Sequence, residues 1–331
     1  MRFSLRNFVT PSISLSVFMF TVITLIWLLP FLAGFTHNVD FHPTFLGSLI
    51  LPHTTTDLQA WVASFILVLL NAFIILRIDN SFNVTRKRTS LPFYIYFFLL
   101  SCWAGVYSSP IIHISTTFYL LSVSVLMATY HNRKAVEAAY LFGLLFSCAS
   151  LFIYEILLLI PFFWLLFYLL KSISLKIILA SAFGLATSWM TLFSLVYLLQ
   201  DIDGVNALLT SLNELRFKFV LLDIPLLIYA VLMLLIVGIL IFGVSTDYRN
   251  NSVQNRKYLS SHVLLFCLFA AVMIFISESL FLLMPFISVH ICFLASYNFV
   301  THPTKSNATL FTLLIVVNFL LLLYTYLPNL Q

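Results

Sequence analysis

Apolar residues run almost unbroken from Ile13 to Phe35, give way to a polar stretch, and resume at Ala60. The same alternation of long greasy runs and short polar breaks continues along the chain. A membrane-crossing helix needs about 20 apolar residues, with a range of roughly 17–25. Segmentation on that basis predicts eleven spans, at 13–35, 60–78, 93–109, 114–130, 138–153, 156–171, 177–199, 220–245, 261–278, 280–299 and 308–327. The stretch from Ala138 to Leu170 is the hardest to divide. As one helix its 33 residues would measure about 50 Å, against a hydrocarbon thickness of about 30 Å. It fits as two short crossings if the chain turns near "FIYE", which places Glu155 at the tip of a tight outer hairpin.

Composition leaves little room for a soluble fold. The chain is 62% hydrophobic and 8% charged, with a mean hydropathy of +1.08, whereas a soluble domain carries about 25% charged residues. The expectation is an all-α, polytopic transmembrane helical bundle forming one integral membrane domain over residues 1–331. Arg2 and Arg6 precede the first apolar run. That run exceeds the roughly 7–15 residues of a signal-peptide core, so a retained first helix is expected. The four cysteines, Cys102, Cys148, Cys267 and Cys292, lie in apolar runs without metal or redox spacing and read as core residues.

Charge gives the segmentation an orientation. Lys and Arg accumulate in cytoplasmic loops. With the amino terminus inside, only Arg216 and Lys218 of the 16 basic residues fall outside, and the carboxyl end lies outside as well. The expected location is the inner (plasma) membrane. Asp40, Asp57, Glu155, Asp201, Asp203, Glu214, Asp223 and Glu278 then lie at or near the outer face, as do His37, His42, His53 and His113. Residues 36–59 and 200–219 form the longer extracytoplasmic loops. The second has an apolar stripe at Val205, Leu208, Leu209, Leu212 and Leu215, the spacing of a short amphipathic helix.

Candidate chemistry gathers on that outer face. In "HNVDFHP", Asp40 stands between His37 and His42, an arrangement suited to a general base or to a divalent cation. The alternative is a polar loop capping the first helix. A zinc site formed with His53 has no regular spacing to support it. Glu155 either works in a site or marks the hairpin turn. Asp223, in "VLLDIPLLIYAV", is expected a turn inside its helix, with Arg216 or Lys218 as its partner. His290 lies mid-helix, as hydrogen-bonded packing or as a relay. Asn71, Asn298 and Asn318 read as interhelical glue, and "ASAFGLATS" as a close-packing stripe. No Walker or GxGxxG pattern occurs, no nucleic-acid partner is implied, and no organic cofactor is called for.

The middle third carries a resemblance. Gly143, Ala149, Leu151, Pro161, Lys171 and Lys176 occupy places that resemble the short-hairpin region of GT-C glycosyltransferases, over about a fifth of the chain. The whole chain also resembles a family of Phe-rich polytopic bacterial inner-membrane proteins of unknown function. The GT-C resemblance implies sugar transfer from a polyprenyl-phosphate carrier at the outer face, with a catalytic acid in the first outer loop. Asp40 matches that acid, though "NVDFHP" has no paired acid where the family usually has an acidic pair. On this reading Asp40 is the base, and His37 or His42 orients the acceptor or assists with a metal. Arg216 and Lys218 hold the carrier phosphate, with Glu155 and Asp223 binding substrate. A non-catalytic membrane subunit or scaffold, and less strongly a transporter or lipid flippase, remain open beside it. Membrane lipids are the partners in each case.

The predicted orientation is checked by cysteine labelling in a chain whose native cysteines are replaced by alanine. Asp203→Cys is expected to react with an impermeant maleimide on intact cells. Lys134→Cys is expected to react only after lysis.

Overall fold

The computed structural model describes residues 8–32, 57–107, 109–213, 223–275 and 280–326. These residues are mostly helical, with no strand among them. The helices are α1 (Ile13–Leu32), α2 (Asp57–Phe82), α3 (Leu91–Ser101), α4 (Pro110–Ala128), α5 (Val136–Phe152), α6 (Ile160–Leu169), α7 (Leu175–Asn213), α8 (Ile224–Thr246), α9 (Val253–Phe275), α10 (Leu280–Thr301) and α11 (Lys305–Tyr326). Each coincides with one of the apolar segments read from the sequence. Eight are long and apolar enough to cross a bilayer, and α3, α5 and the hairpin return through α6 are shorter. The protein is an integral membrane protein built as an all-α bundle.

The bundle is organised around α10, which packs against α3, α4, α8, α9 and α11. Its spanning window is 94% buried, against 22% for α1 at the rim. Most other helices turn a broad apolar face outward, as α8 does with Leu227, Ile228, Val231, Leu234 and Leu235. That is the face a lipid solvent requires. Cys102 and Cys292 are buried as expected of core residues, whereas Cys267 is exposed on α9.

Small residues determine where helices touch most closely. Gly143 of α5 and Gly184 of α7 face each other's backbones. A Cβ at Gly143 would meet the Ser181 carbonyl, and one at Gly184 would meet the Tyr140 carbonyl and the Leu144 nitrogen. Hydroxyls exploit the short approach: Ser147 donates to Leu185 O at 2.9 Å and Ser188 to Leu144 O at 3.2 Å. The small-residue stripe therefore does serve close packing, as interhelical contact in lipid favours. Gly243 plays the same part on α8, where a Cβ would strike the amide oxygen of Asn298.

Residues 200–213 depart from the loop expected there, because α7 continues through them as helix. Straight, its 39 residues would reach about 58 Å, nearly twice the hydrocarbon core. It does not stay straight. Val196 Cγ1 lies 3.0 Å from where a Cβ on Gly204 would sit, although eight residues of straight helix rise about 12 Å. The helix must bend sharply between them, and Gly204 provides the room. Beyond the bend, Leu208 packs in one cluster with Leu151, Tyr154, Leu192 and Val196. Of the apolar stripe read as a separate amphipathic helix, Val205 and Leu208 face this contact, Leu209 is exposed and Leu215 lies outside the described residues.

Valine at Gly143 or Gly184 is expected to cost about 2–4 kcal/mol, because backbone atoms cannot move aside as a side chain can. At Gly238, where an added Cβ meets nothing within 4 Å, alanine is expected to be neutral. Thermal denaturation midpoints of the detergent-purified variants check both.

Candidate functional site

The hairpin tip between α5 and α6 is the best-defined part of the site expected from sequence. The cap of α5 at Ile153 is extended, with φ −140° and ψ 99°, so the helix ends and the chain turns. A 3₁₀ segment, Tyr154–Leu159, follows before α6 begins at Ile160. Pro161 falls in the first turn of α6, where its missing N–H costs nothing. Glu155 therefore sits on the turn, half-buried. Next to it in the chain, Tyr154 joins an aromatic group with α7 ahead of its bend: Tyr154 and Trp189 lie 5.9 Å apart, and Trp189 and Phe193 6.0 Å apart, centroid to centroid. The Trp189 indole N–H donates to Ser150 Oγ at 3.2 Å, which ties α7 to α5. With 17 residues, α5 is about 26 Å long, a few ångströms less than the hydrocarbon core.

Asp223 corrects the sequence reading. It stands before α8 as the N-cap residue, exposed, rather than a turn inside the helix. Pro225 lies within the first turn. Lacking an N–H and fixed near φ −65°, proline suits that position and marks the helix start just ahead of it. The Asp223 carbonyl accepts from Leu227 N at 2.8 Å, and its carboxylate faces the positive end of the helix dipole. The other site residues, His37, Asp40, His42, Arg216 and Lys218, together with His53 and Glu278, lie outside the described residues.

Two polar constellations were not legible as units. The first lies at the basic end of the bundle. Asp247, just after α8, accepts from Tyr297 OH at 2.6 Å and Asn250 Nδ2 at 2.8 Å. It also pairs with Arg86 at 3.3 Å and His302 at 3.4 Å. The loop that delivers Arg86 is itself built: Asp79 receives the Thr85 N–H at 2.9 Å and the Thr85 hydroxyl at 2.7 Å. One carboxylate thus joins the α2–α3 loop, the α8–α9 turn and the end of α10. Burial pushes the Asp247 carboxyl up, but hydrogen bonds from Tyr297 and Asn250 and the charges of His302 and Arg86 outweigh it. Its pKa is held below the ordinary 3.8.

The second constellation is inside the bundle. His290 Nε2 lies 2.7 Å from Tyr119 OH, and His290 Nδ1 lies 3.0 Å from His262 Nδ1. All three side chains are fully buried. Phe293 stacks on His262 with ring centroids 4.3 Å apart, and Phe269 and Phe286 enclose Tyr119. Each hydrogen bond needs one donor, so the tautomer of His290 dictates that of His262. His290 was recognisable alone, whereas its partners come from helices far apart in sequence. The asparagines behave as interhelical ties. Asn71 donates to His113 O at 3.0 Å, Asn298 to Leu240 O at 2.8 Å, and Asn318 accepts from Tyr229 OH at 3.0 Å. His113, placed near the outer face by sequence, is buried on α4 with Nε2 2.9 Å from Val106 O. No group of metal-ligating side chains occurs among the described residues.

Comparison with family models, curated proteins and solved structures finds no match to this chain. Its chemistry has therefore to be argued from its own residues.

The depressed pKa of Asp247 carries a sign. It contributes stability that is complete above the unfolded carboxyl value of about 3.8 and is lost as pH falls through the lower folded value. Thermal midpoints measured from pH 7 downward are expected to drop below about pH 4, with that step absent in Asp247→Asn. At neutral pH this variant is expected to be less stable by about 1–3 kcal/mol.

Proposed function

We propose that the protein is an inner-membrane transferase that takes a sugar from a polyprenyl-phosphate carrier at the extracytoplasmic face. The feature that supports it best is the hairpin tip, where half-buried Glu155 follows Tyr154 in the chain and Tyr154, Trp189 and Phe193 form one aromatic group. On this reading the short α5 leaves the tip in a slight recess of the bilayer surface. Flat aromatic faces suit the apolar C–H face of a sugar ring, and an adjacent carboxylate suits its hydroxyls. A lipid-borne donor reaches such a recess without leaving the membrane.

In this reaction the acceptor hydroxyl gives its proton to Asp40, oriented by His37 or His42. The acceptor oxygen bonds to the anomeric carbon, and the bond from that carbon to the phosphate oxygen breaks. The polyprenyl phosphate leaves with the electron pair, its charge balanced by Arg216 and Lys218. A divalent cation held by Asp40 would supply further charge balance. Asp223 lies exposed at the N-cap of α8, where it is available to bind an acceptor hydroxyl.

A non-catalytic membrane subunit is the second reading. It is favoured by the broad apolar face of α8, where Gly238 leaves room for a partner helix.

The test is a deletion strain whose surface glycans and lipid-linked sugars are profiled by mass spectrometry, then complemented. Loss of one sugar unit on deletion is expected, with no restoration by Asp40→Asn at normal membrane levels. Glu155→Gln is expected to restore it at a rate reduced about tenfold or more. An unchanged glycan profile in the deletion rules out the transferase. Full restoration by Asp40→Asn transfers support to the subunit reading.

A further inference from the structure

Basic residues at this end of the bundle serve orientation, and orientation alone requires no particular arrangement among them. Here several of them converge. A cavity of about 840 Å³ is lined by His131, Arg133, Lys134, Tyr168, Lys171 and Lys257 as its polar wall. They come from three separate segments: the α4–α5 turn, the end of α6 with its turn into α7, and the second turn of α9. The first two segments are joined directly, His131 N donating to Leu170 O at 3.0 Å.

Two features distinguish this cavity from a random cationic surface. First, His131 and Lys171 both adopt left-handed backbone, with φ of 56° and 57°. Lys171 does so as the left-handed residue that closes α6, with Ser172 N donating to Phe167 O and Lys171 N to Tyr168 O, each at 3.0 Å. These hydrogen-bonded turns set both residues on the wall of the same cavity. Second, no carboxylate lines it. Glu137, the acid closest to it along the α4–α5 segment, is exposed in the first turn of α5. Four permanent cations around one cavity repel each other until a multiply charged anion enters.

The shape of the site specifies the anion further. Arg133 offers a planar fork and the three lysines offer point charges, a set suited to a phosphate group. The same cavity is bounded by Leu169 and Ile173, with the Tyr168 ring 71% exposed at its edge. These residues end α6 or follow it, at the boundary between lipid and water. A ligand with a phosphate head and an apolar tail would satisfy both parts. We infer that this cavity binds the phosphate group of a membrane lipid at the basic end of the bundle, the cytoplasmic leaflet under the positive-inside rule. The site is at the opposite end from the hairpin tip and does not depend on the transferase reading.

The experiment uses the full chain in a neutral detergent, with binding read by native mass spectrometry and thermal shift. The probes are dioctanoyl phosphatidic acid, dioctanoyl phosphatidylcholine and inorganic pyrophosphate. Phosphatidic acid is expected to bind and to stabilise, and phosphatidylcholine to bind at least about tenfold more weakly. The pair Arg133→Gln with Lys171→Gln is expected to weaken phosphatidic acid about tenfold or more. The pair Arg249→Gln with Lys305→Gln, an equal charge change elsewhere on this end, is expected to leave it unchanged. If the cavity pair does not fold, Lys134→Gln alone is expected to weaken binding by about threefold or more. Cavity-dependent binding of pyrophosphate as well as the lipid supports recognition of the phosphate head. Binding of pyrophosphate without the lipid overturns the lipid assignment. Equal losses in the two pairs, or equal affinity for phosphatidylcholine, overturn the site.

Discussion

A polar side chain with no water in reach must find its partner on another helix, and this bundle is arranged around that requirement. The helix most affected is α10. It is sealed on nearly every side, yet it carries His290, Tyr297 and Asn298. Each meets a group from another part of the bundle: Tyr119 of α4 and His262 of α9 for the histidine, Asp247 at the end of α8 for the tyrosine, and Leu240 O within α8 for the asparagine. These bonds give α10 a rotational setting that apolar packing alone does not specify, since lipid tails and leucine side chains are alike in polarity. The neighbours are then positioned by what they must offer α10.

Much of the fold follows from hydropathy because the bilayer imposes both the length and the secondary structure of a crossing segment. That is why every apolar run corresponds to a helix, and why the turn at Glu155 was readable from a run too long for one crossing and too short for two ordinary ones. The bend in α7 was not readable. Its amphipathic stripe showed that 205–215 has an apolar face, but only the tertiary contact with Leu151 and Tyr154 shows where that face goes. Asp223 was misplaced by a turn because apolar residues precede it, although Pro225 marks the helix start. Local chemistry outranked hydropathy there.

The site was legible only in part, for a related reason. Charged residues announce which end of the bundle they occupy, but not which of them meet. Arg86 and Asp247 are 161 positions apart, and His262 and His290 are separated by a whole inter-helix connection. No periodicity links such pairs. The contact of the Trp189 ring with Tyr154 was hidden in the same way, since aromatic residues are so frequent here that no single one stands out.

The brevity of α6 has a consequence for biosynthesis. Its ten residues measure about 15 Å, and even with the 3₁₀ segment ahead of it the returning limb spans only Tyr154–Leu169, short of the roughly 17–25 residues of an independent crossing. The insertion machinery has little to recognise in it as a separate segment. It can enter the bilayer only as the returning limb of a hairpin begun by α5, whose Gly143 is still waiting for α7. The ribosome must therefore deliver these segments as one assembly step, with α5 and α6 committed to the membrane together.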